Sequence, residues 1–484
     1  MQSGIHFAGI LGSGCYPLAQ LLRGRGYTVT GTDSAAGKDF YTDGYGIRIW
    51  QKLTHLPGGT GLVIYSLAID VADPLITEAR ALGIPLISRA QLLGALMSRY
   101  GVRVSVSGSH GKSTTTALIQ HVLARAGVEH TAISGATLSD GSAYTDGGGD
   151  VFVTEACEYK DSFLCLCPTH QIITSVELDH TDYFPTLADI RRSFLAAARC
   201  CDTVIINIDD SISSGIAAEL KDESEDSKGT NKHGCKSLYD APKSDTPMGY
   251  SPKNDLKPRP RIITYGAKEG ADYRIHSIRH FSDFTSFALT VGADTVSLST
   301  PLIGDFNLYN VAAAFALADS IGIGREDIVS AVSTFLGIER RLSLLTRIGG
   351  VPVYYDYAHH PREIAAVIGA LKERYGAVTV IFRPHTYSRT ASLFDGFVSA
   401  LSEADRVILL DVFPAREEPI SGVSSQHLCE CIAGAVYCRD QSEVARLVTE
   451  SPRGAIALLG AGDVERVRRD LIEYAKNTDK SERR

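Results

Sequence analysis

Residues 102–120 read VRVSVSGSHGKSTTTALIQ, a strand pattern that runs into a glycine-flanked Lys-Ser pair and then a helix pattern. Val102, Val104 and Val106 alternate with polar residues, the period of a strand. Leu118, Ile119, Val122 and Leu123 follow at helical spacing, and Gly127 is a stop signal. A loop in that position exposes backbone N–H groups at a helix N-terminus, which attract an anion. The order is G-x-x-G-K-S, shorter than the usual phosphate loop, because Val106 stands where that pattern has its first glycine. Gly108 and Gly111 let the backbone turn around phosphate oxygens, with Ser109 and His110 between them. Lys112 reaches the outer phosphates, and Ser113, followed by Thr114, is placed to ligate magnesium.

Strand–loop–helix units of this kind recur along the chain, which sets the class as α/β with mostly parallel sheets. At roughly 100–200 residues per domain, 484 residues make about three domains. The expected blocks are 1–98, 99–335 and 336–484. Within the second, 221–261 is rich in Lys, Asp, Ser and Pro and poor in branched apolar residues, so it reads as a mobile insertion. The last nine residues, KNTDKSERR, read as a frayed tail.

Ligands in open parallel sheets bind beyond the carboxyl ends of the strands. The polar motifs fall there in all three blocks. In the second, TEACEY offers Glu155 and Glu158, and ELDHTDYF offers Glu177, Asp179, His180 and Asp182, hard ligands for a magnesium nucleotide. In the first, GILGSGCYP sets glycines at 9, 12 and 14, with Asp33 closing the next strand, which suits a diphosphate and a ribose. In the third, YDYAHHP and RPHTYSRT carry Asp356, Tyr357, His359, His360, His385 and Arg389, and Arg389 suits a bidentate grip on a carboxylate.

A net charge of −8 argues against nucleic acid as a partner. No apolar run approaches the ~18 residues of a membrane helix. The ten cysteines form no CxxC pair, and they read as free thiols in a reducing cytoplasm. Cys165 and Cys167 sit at period two, as on one face of a strand.

Taken together, GSHGKSTTT, EACEYKDSFL, ELDHTDYF, GDFNLYNVAAA, GIERRLSLL, YDYAHHP, PHTYSRT, DVFPAREEPI and LGAGDV resemble the Mur ligases, ATP-dependent enzymes that build the peptide stem of bacterial cell-wall precursors. The resemblance covers nearly the whole chain apart from the insertion. It implies a Rossmann-like N-terminal domain for the UDP substrate, a central ATPase domain and a Rossmann-like C-terminal domain for the amino acid. It also implies a cytoplasmic monomer or dimer using ATP, Mg2+ (or Mn2+), UDP-N-acetylmuramate and L-alanine, with neither nucleic acid nor membrane as partner.

By that resemblance Lys112 binds the β/γ-phosphates. Ser113, Glu155 and His180 hold metal, and Asn307 and Asn310 lie at the adenine side. Arg340 and Asp356 complete the ATP site. Tyr357, His359, His385 and Arg389 surround the amino acid, with Lys112, His180, His359 and Arg389 as the catalytic set. Gly12, Gly14, Asp33 and Ser66 serve the uridine diphosphate.

Some positions depart from the family pattern: Leu11, Tyr16 and Pro17 in the first glycine loop, Phe306 before Asn307, and Thr386 where some members carry an arginine. LADIRRSF lacks the lysine that many relatives carbamylate, as in the alanine-adding branch. The competing readings are a ligase that attaches a whole tripeptide, an NAD-dependent dehydrogenase built on the first block, and a non-catalytic sensor of wall precursors.

Overall fold

The computed structural model describes residues 4–135, 143–181, 183–225, 259–415, 417–449, 454–461 and 464–482. Among the described residues there are three sheets, of six, ten and six strands. In the first, Gly4–Ala8 lies parallel between Val29–Thr32 and Thr60–Tyr65. Leu86–Ser88 extends one side, and Arg48–Trp50 extends the other, both in parallel. Phe40–Thr42 closes that second edge antiparallel. The hairpin these last two strands form falls outside the expected strands, because its three-residue strands are too short to show a period.

In the second sheet Val102–Ser107 lies parallel between Val151–Glu155 and His170–Ile173. Thr203–Asn207 and Arg261–Gly266 continue on one side, and His130–Ile133 on the other. The alternating valines suggest a half-buried strand, yet Ser105 and Ser107 are as buried as Val104 and Val106. A central strand covered by helices on both faces must satisfy such polar groups internally. The Ser107 hydroxyl does so, donating to the Ile172 carbonyl (2.9 Å) and accepting from the Gln171 amide (3.0 Å).

The third sheet sets Ala455–Leu459 between Val351–Asp356 and Val378–Phe382, all parallel. Arg406–Leu409 and Val436–Tyr437 follow, and Ser343–Ile348 is the antiparallel edge.

By their contacts the described residues group into two compact units, with the first two sheets in one of them. The first takes the chain to His276 plus Ala288–Leu298 and Tyr309–Ser333; the second takes Ser277–Phe287, Ser299–Leu308 and everything from Thr334. The first two sheets share a unit because one apolar core joins them. Leu92, Leu93 and Met97 of the helix Arg89–Met97 belong to the same buried cluster as Phe152, Phe163 and Leu166. Arg25 adds a two-pronged link, donating to both Asp146 oxygens (2.7 and 3.0 Å) and to the Tyr100 hydroxyl (2.7 Å).

Three local expectations change. The tail reading KNTDKSERR is largely the end of a helix, Glu465–Glu482, whose apolar face buries Val467, Leu471 and Ala475. Cys165 ends a 3-10 segment, Tyr159–Cys165, rather than lying in a strand. The insertion is narrower than 221–261, since Ser211–Glu225 is a helix and Arg261 opens a strand; 226–258 lie outside the described residues.

His6 is fully buried in the first sheet, with Thr30 Oγ1 at 2.9 Å from its Nδ1. Burial pushes its pKa down from 6.5 to about 4. Below pH 6.5 the unfolded chain takes up a proton that the native ring refuses until about pH 4. This contribution to stability is therefore complete above that window and is lost as pH falls through it, by about 3 kcal/mol in all. His6→Asn should show a shallower loss of urea midpoint between pH 7 and pH 4.5 than the parent chain. Equal slopes would place the acid sensitivity elsewhere.

Candidate active site

The strand Val102–Ser107 ends in the glycine loop, and the helix Lys112–Arg125 begins beyond it. Gly108 has φ +134° and Gly111 has φ +83°, conformations that side chains rarely adopt. A Cβ at Gly108 would strike the Thr174 hydroxyl, and one at Gly111 would strike the Asn310 amide oxygen. No side chain caps the helix, so its first-turn N–H groups have no side-chain acceptor. Ser113 and Thr114 are its second and third residues.

The loop is pinned to the neighbouring strand end. Ser109 N donates to the Ser175 carbonyl (2.8 Å), Glu177 N donates to Ser109 Oγ (2.8 Å), and the Thr174 hydroxyl donates to the His110 carbonyl. His110 Nε2 lies 3.7 Å from the Glu177 carboxylate. Lys112 Nζ donates to the Gly108 carbonyl and to Glu158 (3.2 Å).

Glu158, only 1% exposed, is the centre of the site. His180 Nε2 lies 3.7 Å from it and 3.8 Å from Asp179. Glu158, Asp179 and His180 each bring a ligand atom within 4.8 Å of the others, a set suited to a divalent cation. Lys160, Asp161 and His180 all have positive φ (51°, 56° and 53°). Non-glycine residues there cost about 1–3 kcal/mol each and persist where their surroundings hold them. Here the Tyr183 hydroxyl (2.6 Å) and the Ser193 hydroxyl both donate to Asp161. The Tyr159 ring packs 4.7 Å from the His180 ring.

Glu155, expected at the metal, lies apart from this cluster. Its Oε1 accepts from Gly135 N (2.7 Å) and Ser134 Oγ (3.1 Å). It is the last residue of its strand, whereas Glu158 sits in the turn beyond, which carries it towards Lys112. Asp182 lies outside the described residues.

Asn307 and Asn310 are one turn apart on the helix Phe306–Ser320, but they face different partners. Asn310 Oδ1 accepts from Thr115 Oγ1 (3.2 Å) beside the glycine loop. Asn307, in the second unit, donates through Nδ2 to the Ile303 carbonyl (2.8 Å).

In the first sheet Gly9 (φ +80°) turns the chain towards Gly12, Gly14 and the helix Tyr16–Gly24, which has no side-chain cap. Asp33 accepts from Leu11 N and Ala35 N (both 2.9 Å), so it fastens the glycine loop to the next strand. Ser66 Oγ accepts from Ala68 N (3.3 Å). Sequence reasoning missed Arg89, whose guanidinium lies beside the glycine loop, 3.1 Å from where a Cβ on Gly14 would be. The only signal was a cation at the first position of a helix after a short strand.

The second unit gathers the other expected residues. Asp356 is buried and accepts from Leu342 N and Ala358 N (both 2.7 Å). Burial raises its pKa to about 6 against the pull of Arg341. Arg340 (φ +62°) accepts at its carbonyl from Tyr357 N (2.9 Å).

The Tyr357 and His359 rings meet edge-on at 5.3 Å, and His359 and His385 are 6.4 Å apart. His359 Nδ1 donates to the Tyr357 carbonyl (3.0 Å). Arg389 Nη1 donates to His385 Nδ1 (3.2 Å), which places the His385 proton on Nε2. Burial lowers the pKa of both histidines, and the Arg389 charge lowers His385 further. Both rings are therefore neutral at pH 7.

Comparison with known proteins places the chain in a family. Residues 4–101 match the Mur ligase family catalytic domain, 106–241 and 242–318 the Mur ligase middle domain, and 340–464 the Mur ligase glutamate ligase domain. A UDP-N-acetylmuramate–L-alanine ligase of Lachnospira eligens is 33% identical, covering 97% of this chain and 98% of its own. One from Caldicellulosiruptor saccharolyticus is 34% identical, covering 95% and 96%. The crystal structure of a UDP-N-acetylmuramate–alanine ligase from Thermotoga maritima superposes with TM-score 0.75 at 22% identity, over 98% of this chain and 99% of that one. A murein peptide ligase from Psychrobacter arcticus gives 0.63 at 20% identity, over the same shares. The chain belongs to the Mur ligase family.

Proposed function

We propose that the chain joins L-alanine to the lactyl carboxylate of UDP-N-acetylmuramate at the expense of ATP, a step in peptidoglycan precursor synthesis. The near full-length likeness to alanine-adding ligases supports the substrates. The observation that carries the chemistry is the buried Glu158 facing both Lys112 and His180 at the mouth of the glycine loop.

In this reading a carboxylate oxygen of the sugar attacks the γ-phosphorus of ATP, and ADP leaves. The amine of L-alanine then attacks the acyl carbon. A C–N bond forms, phosphate departs and the nitrogen gives up its proton. Lys112 and the uncapped first-turn amides neutralise charge on the phosphoryl oxygens. A buried carboxylate beside an imidazole and a second acid is a donor set that fits Mg2+, with Glu158, Asp179 and His180 holding it and Ser113 adding a hydroxyl. When bound, the ion offsets charge on the phosphates and the reacting carboxylate.

Asn310 braces the glycine loop through Thr115, and Asp356 fixes the turn that carries Arg340. The uncapped first-sheet helix with Arg89 suits the uridine diphosphate. Arg389 grips the alanine carboxylate, and neutral His359 is the nearby base for the amine proton.

Release of ADP with UDP-N-acetylmuramate should require L-alanine. Activity only with a tripeptide would instead favour the peptide-attaching reaction that the Psychrobacter arcticus protein's name describes.

Lys112→Ala should lower kcat by about 10²–10³-fold or more while the UDP sugar still binds. Glu158→Gln should weaken Mg2+-dependent ATP binding, read by calorimetry, as well as turnover. Glu155→Gln should leave both within about threefold; the reverse pattern would return the metal to Glu155. Because His359 acts while neutral, kcat/KM for alanine should hold as pH falls to 6.5 and decline only below it. His359→Gln should remove that acid limb along with most of the rate.

A further inference from the structure

Arg389 rides on a six-residue helix, Tyr387–Ser392. So short a helix has little stability of its own. The residue before it, Thr386, has φ +65°, a conformation that non-glycine residues resist. Something outside the helix must therefore hold its first turn in place.

A carboxylate from a separate loop does so. Glu417 Oε2 accepts from Ser388 N (2.8 Å), and Oε1 accepts from the Ser388 hydroxyl (2.5 Å). The Thr386 hydroxyl lies 3.5 Å from that of Ser388 and accepts from Arg389 N (3.4 Å), so the same turn reaches Arg389 itself. One acid thus fastens, with both its oxygens, the residue immediately before Arg389. Its loop is anchored in turn. Thr386 N donates to the Phe413 carbonyl and Phe413 N to the Pro384 carbonyl (both 2.8 Å). Glu417 N closes the turn on the Pro414 carbonyl (2.9 Å), and His385 stacks on the Phe413 ring at 5.6 Å.

We propose that Glu417 is a positioning residue that holds Arg389, and with it His385, in the pose that receives the carboxylate of the amino-acid acceptor. The inference rests on Arg389 as the acceptor-binding cation. A two-pronged grip on a carboxylate depends on where the guanidinium is held, and an error of about 1 Å in such positioning costs on the order of 10²-fold. Glu417 acts through Ser388 and Thr386. The next residue, Glu418, is exposed and serves as the control.

The test is steady-state ADP release by the full chain with L-alanine varied and the other substrates saturating. Glu417→Ala should raise the alanine KM about tenfold or more, with kcat and the ATP KM within about threefold. Glu417→Gln keeps an acceptor oxygen for Ser388 and should fall between the parent and the alanine variant. Glu418→Gln should match the parent. Amide hydrogen exchange over 386–390 should quicken in Glu417→Ala and not in Glu418→Gln. An unchanged alanine KM in Glu417→Ala overturns the proposal, and so do equal losses for all three substrates. A parent chain inactive with L-alanine would sink the functional reading instead. In that case the exchange experiment still decides whether Glu417 holds this turn, and unchanged exchange would overturn it.

Discussion

A carboxylate with almost no access to water governs the region around the glycine loop. Isolated, the Glu158 carboxylate would be strongly disfavoured, so it needs a cation and polar partners beside it. Lys112 and His180 meet it from two directions. Each of those demands a special backbone. Lys112 follows a left-handed glycine, and His180 itself sits at positive φ. The glycine loop, the strained 158–161 turn and the loop after His170–Ile173 are thus three consequences of one desolvated acid. The Lys112 contact leaves a cation already poised beside the loop that is read as the phosphate cradle.

Much of this was legible from residue order. A strand, two spaced glycines, Lys-Ser and a helix pattern have few other uses, and the structure gives them that form. The cluster of Tyr357, His359, His385 and Arg389 was equally readable, because Tyr357, His359 and His385 stand just beyond strand ends and Arg389 follows one turn after His385. The choice between Glu155 and Glu158 was not. Three residues separate them, and only the turn geometry tells which side chain leaves the strand line. Asp33 and Asp356 were read as ligand-facing, yet each accepts two backbone N–H groups. Sequence marks a carboxylate at a strand end but not whether its lone pairs go to the chain or to a ligand.

How the sheets share their cores is hidden for a related reason. Spacing of motifs counts sheets, and three sheets are there. Compactness depends on buried surface between sheets, which spacing does not reveal. Leu92, Leu93 and Met97 look like any helix core in sequence, but they share a core with Phe152 and Phe163. Arg25 and Asp146 lie far apart in the chain, and nothing local announces that they pair.

The ends of the stretch 226–258 have a consequence of their own. The preceding helix, Ser211–Glu225, follows the strand Thr203–Asn207, and Arg261 pairs with Thr203 at the start of that strand. The sheet therefore resumes at the edge where the parallel strands begin. The glycine loop and the Glu158 cluster sit at the opposite edge, a strand of five residues away, or about 16 Å at 3.3 Å per residue. That edge is a natural port for grafting. A fluorescent reporter or an affinity handle spliced there would be carried on the far side of the sheet from the chemistry.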